Sequence, residues 1–238
     1  RLMSEFGERG GSNPLGRSIV SHFVIDEEPG GNGALSLSLS DRWTSDNVLV
    51  MEITDLVPHR ANRGALWYKV DLGGVNPDVN TLMALAHIVL NLEAEGDRLI
   101  EETPEGIFSK EHVQTSHGVI AAPPLGDRPG VTFGQHPSTV NGYVKFSIYT
   151  EADLKCLRED IEESIGKYVA KYGDKTLEID KETGLPKVAR HFNLIRRDPG
   201  RGIYDVEVFG KTGHMGAIRQ CDCAIIKMAY ILIGLQGL

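Results

Sequence analysis

Three cysteines in 238 residues are too few, and an odd number, for a disulfide framework. Cys156, Cys221 and Cys223 suit a reducing compartment, so the expected location is cytoplasmic. No apolar run reaches the ~18 residues that a membrane span requires. The longest candidate, Ala224 to Leu238, is broken by Lys227 and Gly234. Basic charge is also short, with 25 Lys and Arg against 33 Asp and Glu for a net charge of −8. The basic residues are scattered and form no tail, which argues against a nucleic-acid partner, because phosphate contacts need clustered Lys and Arg. Glycine (27) and proline (11) are too scarce for a collagen-like or low-complexity chain. Neither end carries a signal-peptide pattern. What remains is a chain that is 41% hydrophobic, enough for a real core in one large domain or two small ones. A soluble globular protein is expected. The chain begins with Arg1, and its first segment reads like the interior of a domain, so a piece of something longer is also expected.

Two styles follow one another along the chain. Ile19 to Ile25 is a short apolar run with the pattern of a buried strand, and it stops at Asp26-Glu27-Glu28-Pro29-Gly30-Gly31-Asn32-Gly33. Ala34 to Leu39 can start a helix, and Val48 to Met51 reads as a second buried strand ending at Glu52. Strand, acidic turn, helix, strand and acid make an α/β pattern, whose ligand site lies beyond the carboxyl ends of the strands. From about Pro58 alternation takes over. Leu66 to Leu72 predicts a half-exposed strand and Asn80 to Glu95 an apolar-rich helix, with a loop-rich stretch over 96–142. Tyr143 to Tyr149 alternates again. Glu151 to Tyr172 predicts a long amphipathic helix with Leu154, Leu157, Ile161, Ile165 and Val169 on one face. His191 to Ile195 and Ile203 to Phe209 read as strands, and Cys221 to Leu235 as the last helix. Tyr68-x-Val70-Asp71-Leu72-x-Gly74 and Tyr204-x-Val206-Glu207-Val208-x-Gly210 share a template. If this is an internal repeat, two strand–helix units on one antiparallel sheet suggest a ferredoxin-like α+β layer. Any two amphipathic strands also look alike.

The sharpest chemical feature is the acidic cluster at the end of an apolar run. Adjacent carboxylates repel, and a divalent cation or a proton offsets the cost of gathering them. One carboxylate can coordinate a metal while its neighbour takes a proton from metal-bound water, with Glu52 as a further ligand. A solvated acidic turn is the plain alternative. Cys221-x-Cys223 invites a metal reading too, but positions two apart do not share a helix face, so free buried thiols are expected.

The residues around these acids resemble a known family. Phe23 to Ala34 is similar to the Asp-Glu-Glu-x-Gly-x-x-Gly motif of the M20 family of zinc-dependent aminoacylases and metallopeptidases, which includes acetylornithine deacetylase and succinyl-diaminopimelate desuccinylase. Ser45 to Thr54 looks like the family's next strand, which ends in Glu-Pro-Thr, with Ile53 where proline is usual. Arg63 to Val70 resembles the strand that opens the family's lid, or dimerisation, domain. Val206 to Ala217, followed by Asp222-x-Ala224-Ile225, resembles the lid's Gly-x-x-x-His stretch and its helix. The four segments occur in the family's own order.

The resemblance implies a division into part of a catalytic α/β domain over 1–58 and an enlarged ferredoxin-like lid over 59–238. It implies Glu27 as general base, Glu28 and Glu52 as zinc ligands, and His214 as the lid histidine that stabilises the oxyanion in a partner's site. Asn141 would match a substrate-contacting lid asparagine, although the Asp-x-Arg that follows it in the family is missing from Ser147-Ile148-Tyr149-Thr150. Two zinc ions, an N-acyl amino acid or peptide substrate and a lid-mediated homodimer are the implied cofactor and partners. The family's upstream His-x-Asp and bridging Asp, and its last histidine after the lid, have no match here. Glu28 and Glu52 alone leave zinc short of three protein ligands, so the rest are expected either from flanking segments of a longer protein or from a second polypeptide. The rival expectation is a non-catalytic dimerisation or interaction module that keeps the lid without a metal centre. His87, His112, His117, His136 and His191 share no spacing and are expected to be structural or on the surface.

Overall fold

The computed structural model describes residues 20–27, 30–40, 42, 47–51, 57, 64, 66–73, 80–102, 115–124, 126–127, 129–175, 178–179, 186–187 and 190–236. The chain divides into two compact units, 1–51 and 52–238.

In the first unit the defined element is α1 (Asn32–Ser38), which follows the acidic turn. Glycines shape its start. Gly31 caps the helix at φ 73, and a Cβ on Gly33 would stand 2.5 Å from the carbonyl oxygen of Ile25, so only glycine lets the helix fold back on the segment before it. The strands expected at Ile19–Ile25 and Val48–Met51 do not form among the described residues, and Phe23 (94%) and Leu49 (87%) are exposed. A short apolar run becomes a buried strand only when neighbours pair with both of its sides. No described residue of this unit pairs with either run.

The second unit holds the core. Its elements are α2 (Thr81–Glu102), β1 (Ile120–Ala122), β2 (Val131–Phe133), β3 (Thr139–Val140), β4 (Tyr143–Tyr149), α3 (Leu154–Tyr172), β5 (Glu178–Ile179), β6 (Pro186–Lys187), β7 (Phe192–Asp198), β8 (Ile203–Phe209), β9 (Gly213–His214) and α4 (Ala224–Gly234). The main sheet is antiparallel in the order β4-β8-β7, and three two-stranded ladders join β1 to β2, β3 to β9 and β5 to β6. Leu66–Leu72 is not a strand. In the main sheet β8 already has β4 on one side and β7 on the other, so the first copy of the repeated template has no place beside the second.

Helix boundaries follow their caps. Asn80 Oδ1 accepts from the N–H groups of Leu82 and Met83 at 3.1 and 3.2 Å and starts α2. The helix runs past Glu95 because Arg98 bridges Glu95 and Glu102 across successive turns. Asp153 caps α3, accepting from Lys155 N–H at 3.0 Å, and Gly173 at φ 81 ends it.

At the centre lies α4, which packs against α2, α3, β4 and β8. Eight of its residues are buried, including Ile225, Met228, Ile231 and Leu232. A helix that is apolar on all sides belongs inside a core. Its one charged member, Lys227, is fully buried and donates to Asp222 Oδ2 and, at 2.8 Å, to the carbonyl of Phe209.

Candidate functional site

The acidic turn is a tight hydrogen-bonded bend. Asp26 takes a left-handed backbone at φ 57, and its carbonyl accepts from Gly31 N–H at 2.7 Å. The Glu27 carbonyl accepts from Gly30 N–H at 3.2 Å, and Ile25 accepts from Gly33 N–H at 3.2 Å. Glu27 itself is exposed. Glu28 and Glu52 lie outside the described residues. Among the described residues no three His, Cys, Asp or Glu gather into a set that could hold a metal ion, so those residues alone do not make a zinc centre.

In the second unit the structure brings His214 and Asn141 to one short ladder. His214 in β9 stands opposite Thr139 in β3, and Asn141 directly follows β3. His214 is exposed, and its Nδ1 accepts from Gly216 N–H at 3.1 Å. With Nδ1 as the acceptor of that bond, the neutral tautomer carries its proton on Nε2. Asn141 is buried. Its Oδ1 accepts from Tyr143 N–H at 2.9 Å, its carbonyl accepts from Ala224 N–H at 2.8 Å, and its Nδ2 has no hydrogen-bond partner. Nearby in sequence, His136 Nδ1 accepts from Ser138 N–H at 3.1 Å while its buried Nε2 also lacks a partner. Two unpaired polar nitrogens therefore flank β3, and each buried unpaired donor is costly.

A second polar centre has no counterpart in the sequence expectations. Glu93 lies on the buried stripe of α2 with Ala86, Val89 and Gly96. Its Oε1 accepts from Thr115 Oγ1 at 2.5 Å and pairs with His117 Nε2 at 2.9 Å, and its Oε2 accepts from the Tyr172 hydroxyl at 2.9 Å. Burial alone would raise the Glu93 pKa, but the bonds from His117, Thr115 and Tyr172 outweigh it and hold the carboxyl below its ordinary value. The same contact gives His117 a structural hydrogen-bonding role beside Glu93. The sequence signal for this centre is a glutamate inside an otherwise apolar helical stripe, which demands partners from elsewhere in the fold.

Next to it, Tyr168 donates to Asp222 Oδ1 at 2.6 Å, and Lys227 reaches His191 Nδ1 at 3.1 Å. Cys221 and Cys223, at the start of α4, are buried thiols in no disulfide. Burial pushes the Cys223 thiol up to about 12 and raises Cys221 as well, so both stay protonated near neutral pH.

Comparison with protein-family models, with curated proteins and with solved structures found no match. No helix among the described residues is long and apolar enough to cross a membrane.

Proposed function

We propose that the chain is a segment of a zinc-dependent amide hydrolase of the aminoacylase and peptidase type, combining part of an α/β catalytic domain with an α+β, ferredoxin-like lid. The observation that carries this reading is the left-handed Asp26 at the head of the acidic turn. A non-glycine residue at positive φ is uncommon, and strain of this kind concentrates at functional sites. Here Gly30, Gly31 and Gly33 brace it through the bonds that close the turn. In this reading Glu27 takes a proton from the attacking water and returns it to the leaving amine. His214 donates from Nε2 to the carbonyl oxygen in the site of a second copy of the chain, as negative charge develops there. Asn141 contacts the substrate, an N-acyl amino acid or a peptide. Zinc, when bound, supplies an acidified water and polarises the carbonyl. Glu28 and Glu52 are the residues this reading assigns to it.

The test is Glu27→Gln in the full chain, with hydrolysis of N-acetyl amino acids and zinc content measured side by side. Turnover is expected to fall roughly 10²-fold or more with zinc content unchanged. Loss of zinc in the variant would make Glu27 a ligand and sink the assignment.

The rival reading is a non-catalytic module that pairs with a second copy through the lid. It is favoured by the two outer strands of the main sheet, β4 and β7, whose free sides pair with no other strand among the described residues. Zinc titration by calorimetry separates the two readings. The module is expected to show only the weak binding of surface carboxylates.

A further inference from the structure

A cavity of about 190 Å³ opens between α2, α3, α4 and residues 115–117. Its walls are apolar at Ile100, Val140, Ile218 and Ile226, but three polar groups on it have unmet demands. The first is Glu93. Three donors occupy its carboxylate, and a carboxylate offers about four lone-pair sites, so Oε2 can accept one more bond. Thr115 and Tyr172 are neutral donors, and His117 is charged only when protonated, so no fixed positive charge offsets the buried carboxylate. The second is Lys175, which lines the same cavity and makes no hydrogen bond or ion pair among the described residues. The third is Ser116, whose buried Oγ has no partner.

We infer that this cavity is a binding site for a small zwitterion of amino-acid size. An ammonium group at Glu93 and a carboxylate at Lys175 satisfy both charges together, while Ser116 bonds either end. Water would satisfy Ser116 but would leave the two charges apart and only partly compensated. A simple amine meets Lys175 as a like charge, and a simple carboxylate meets Glu93 in the same way. The size agrees, since a cavity of about 150 Å³ holds a benzene-sized molecule. The cavity also borders the His214 ladder through Cys221, because a Cβ on Gly213 would run into Cys221 Sγ. This site stands independently of the hydrolase reading.

The experiment is calorimetric titration of the full chain at neutral pH with glycine, 4-aminobutyrate and 6-aminohexanoate, with n-butylammonium and butyrate as single-charge comparators. At least one zwitterion is expected to bind saturably and about tenfold or more tighter than both comparators. The chain length that binds best reads the spacing of the two charges. Glu93→Gln is expected to weaken that binding about tenfold or more. Ser116→Val, which removes a hydroxyl that bonds nothing and narrows the cavity, is expected to weaken it too, and it decides the matter if Glu93→Gln does not fold. Absence of saturable zwitterion binding overturns the inference, as do comparators that bind equally well or an affinity unchanged by Ser116→Val. The readout is heat of binding and needs no turnover.

Discussion

The Tyr168 hydroxyl and the Lys227 ammonium hold opposite oxygens of one carboxylate, that of Asp222, inside the core. Asp222 is 1% exposed and Lys227 is not exposed at all, so neither charge has access to water. Lys227 completes its shell with the Phe209 carbonyl and His191 Nδ1, and its ammonium also faces the Tyr168 ring at 5.3 Å. Burial draws the Lys227 pKa down, and Asp222 opposes that shift.

Removing one member of this pair strands the other. Asp222→Ala is expected to lower stability by about 3–5 kcal/mol, because an uncompensated ammonium stays in the core. Asp222→Ala combined with Lys227→Met removes both charges and is expected to recover much of that loss. Urea unfolding of the two single variants and the double variant measures the coupling. Additive losses would mean that the two groups do not act as a pair.

Glu93 predicts an acid-sensitive fold. Its folded-state pKa lies below its unfolded value, so its stabilising contribution is complete above the unfolded carboxyl pKa, near 4.5. The contribution disappears as pH falls through the lower, folded value. Unfolding free energy should therefore decline on acidification across that window, and Glu93→Gln should flatten this part of the decline. Urea titrations from pH 7 down to pH 3 check it. A variant with the same acid slope as the parent would remove Glu93 from the explanation.

Two glycines are expected to respond in opposite directions. A Cβ at Gly210 would collide with the backbone carbonyl of Asp222, so Gly210→Ala should destabilise by about 1–3 kcal/mol or more. Gly166, in the middle of α3, has open space where a methyl group would stand, with nothing within 4 Å, and takes no positive φ. Gly166→Ala should stabilise by about 1 kcal/mol through helix propensity alone. Thermal denaturation of both variants reads the contrast.

Local patterning made part of the fold legible. The alternation of Tyr143–Tyr149 and Ile203–Phe209 and the 3.6-residue stripe of α3 are properties of contiguous segments, and those segments form the expected elements. The runs at Val48–Met51 and Leu66–Leu72 carry similar local patterns but form no strand, because strand formation also depends on which neighbours a segment finds. Sites followed the same division. The turn at Asp26–Gly33 is legible because its glycines act within a few residues of one another. The Glu93 centre is not, since Thr115, His117 and Tyr172 reach it from distant parts of the chain.

Helix α4 comes after every element it packs against. During synthesis, α2, α3 and the main sheet therefore emerge with their inner faces uncovered, and the second unit cannot close until residues 224–234 have left the ribosome. Its contacts with α2 span well over a hundred residues, so collapse waits on a long loop closure and folding is expected to be slow for a unit of this size. Nascent chains that stop short of Ala224 present a continuous greasy surface, the form that chaperones would engage and that would aggregate first.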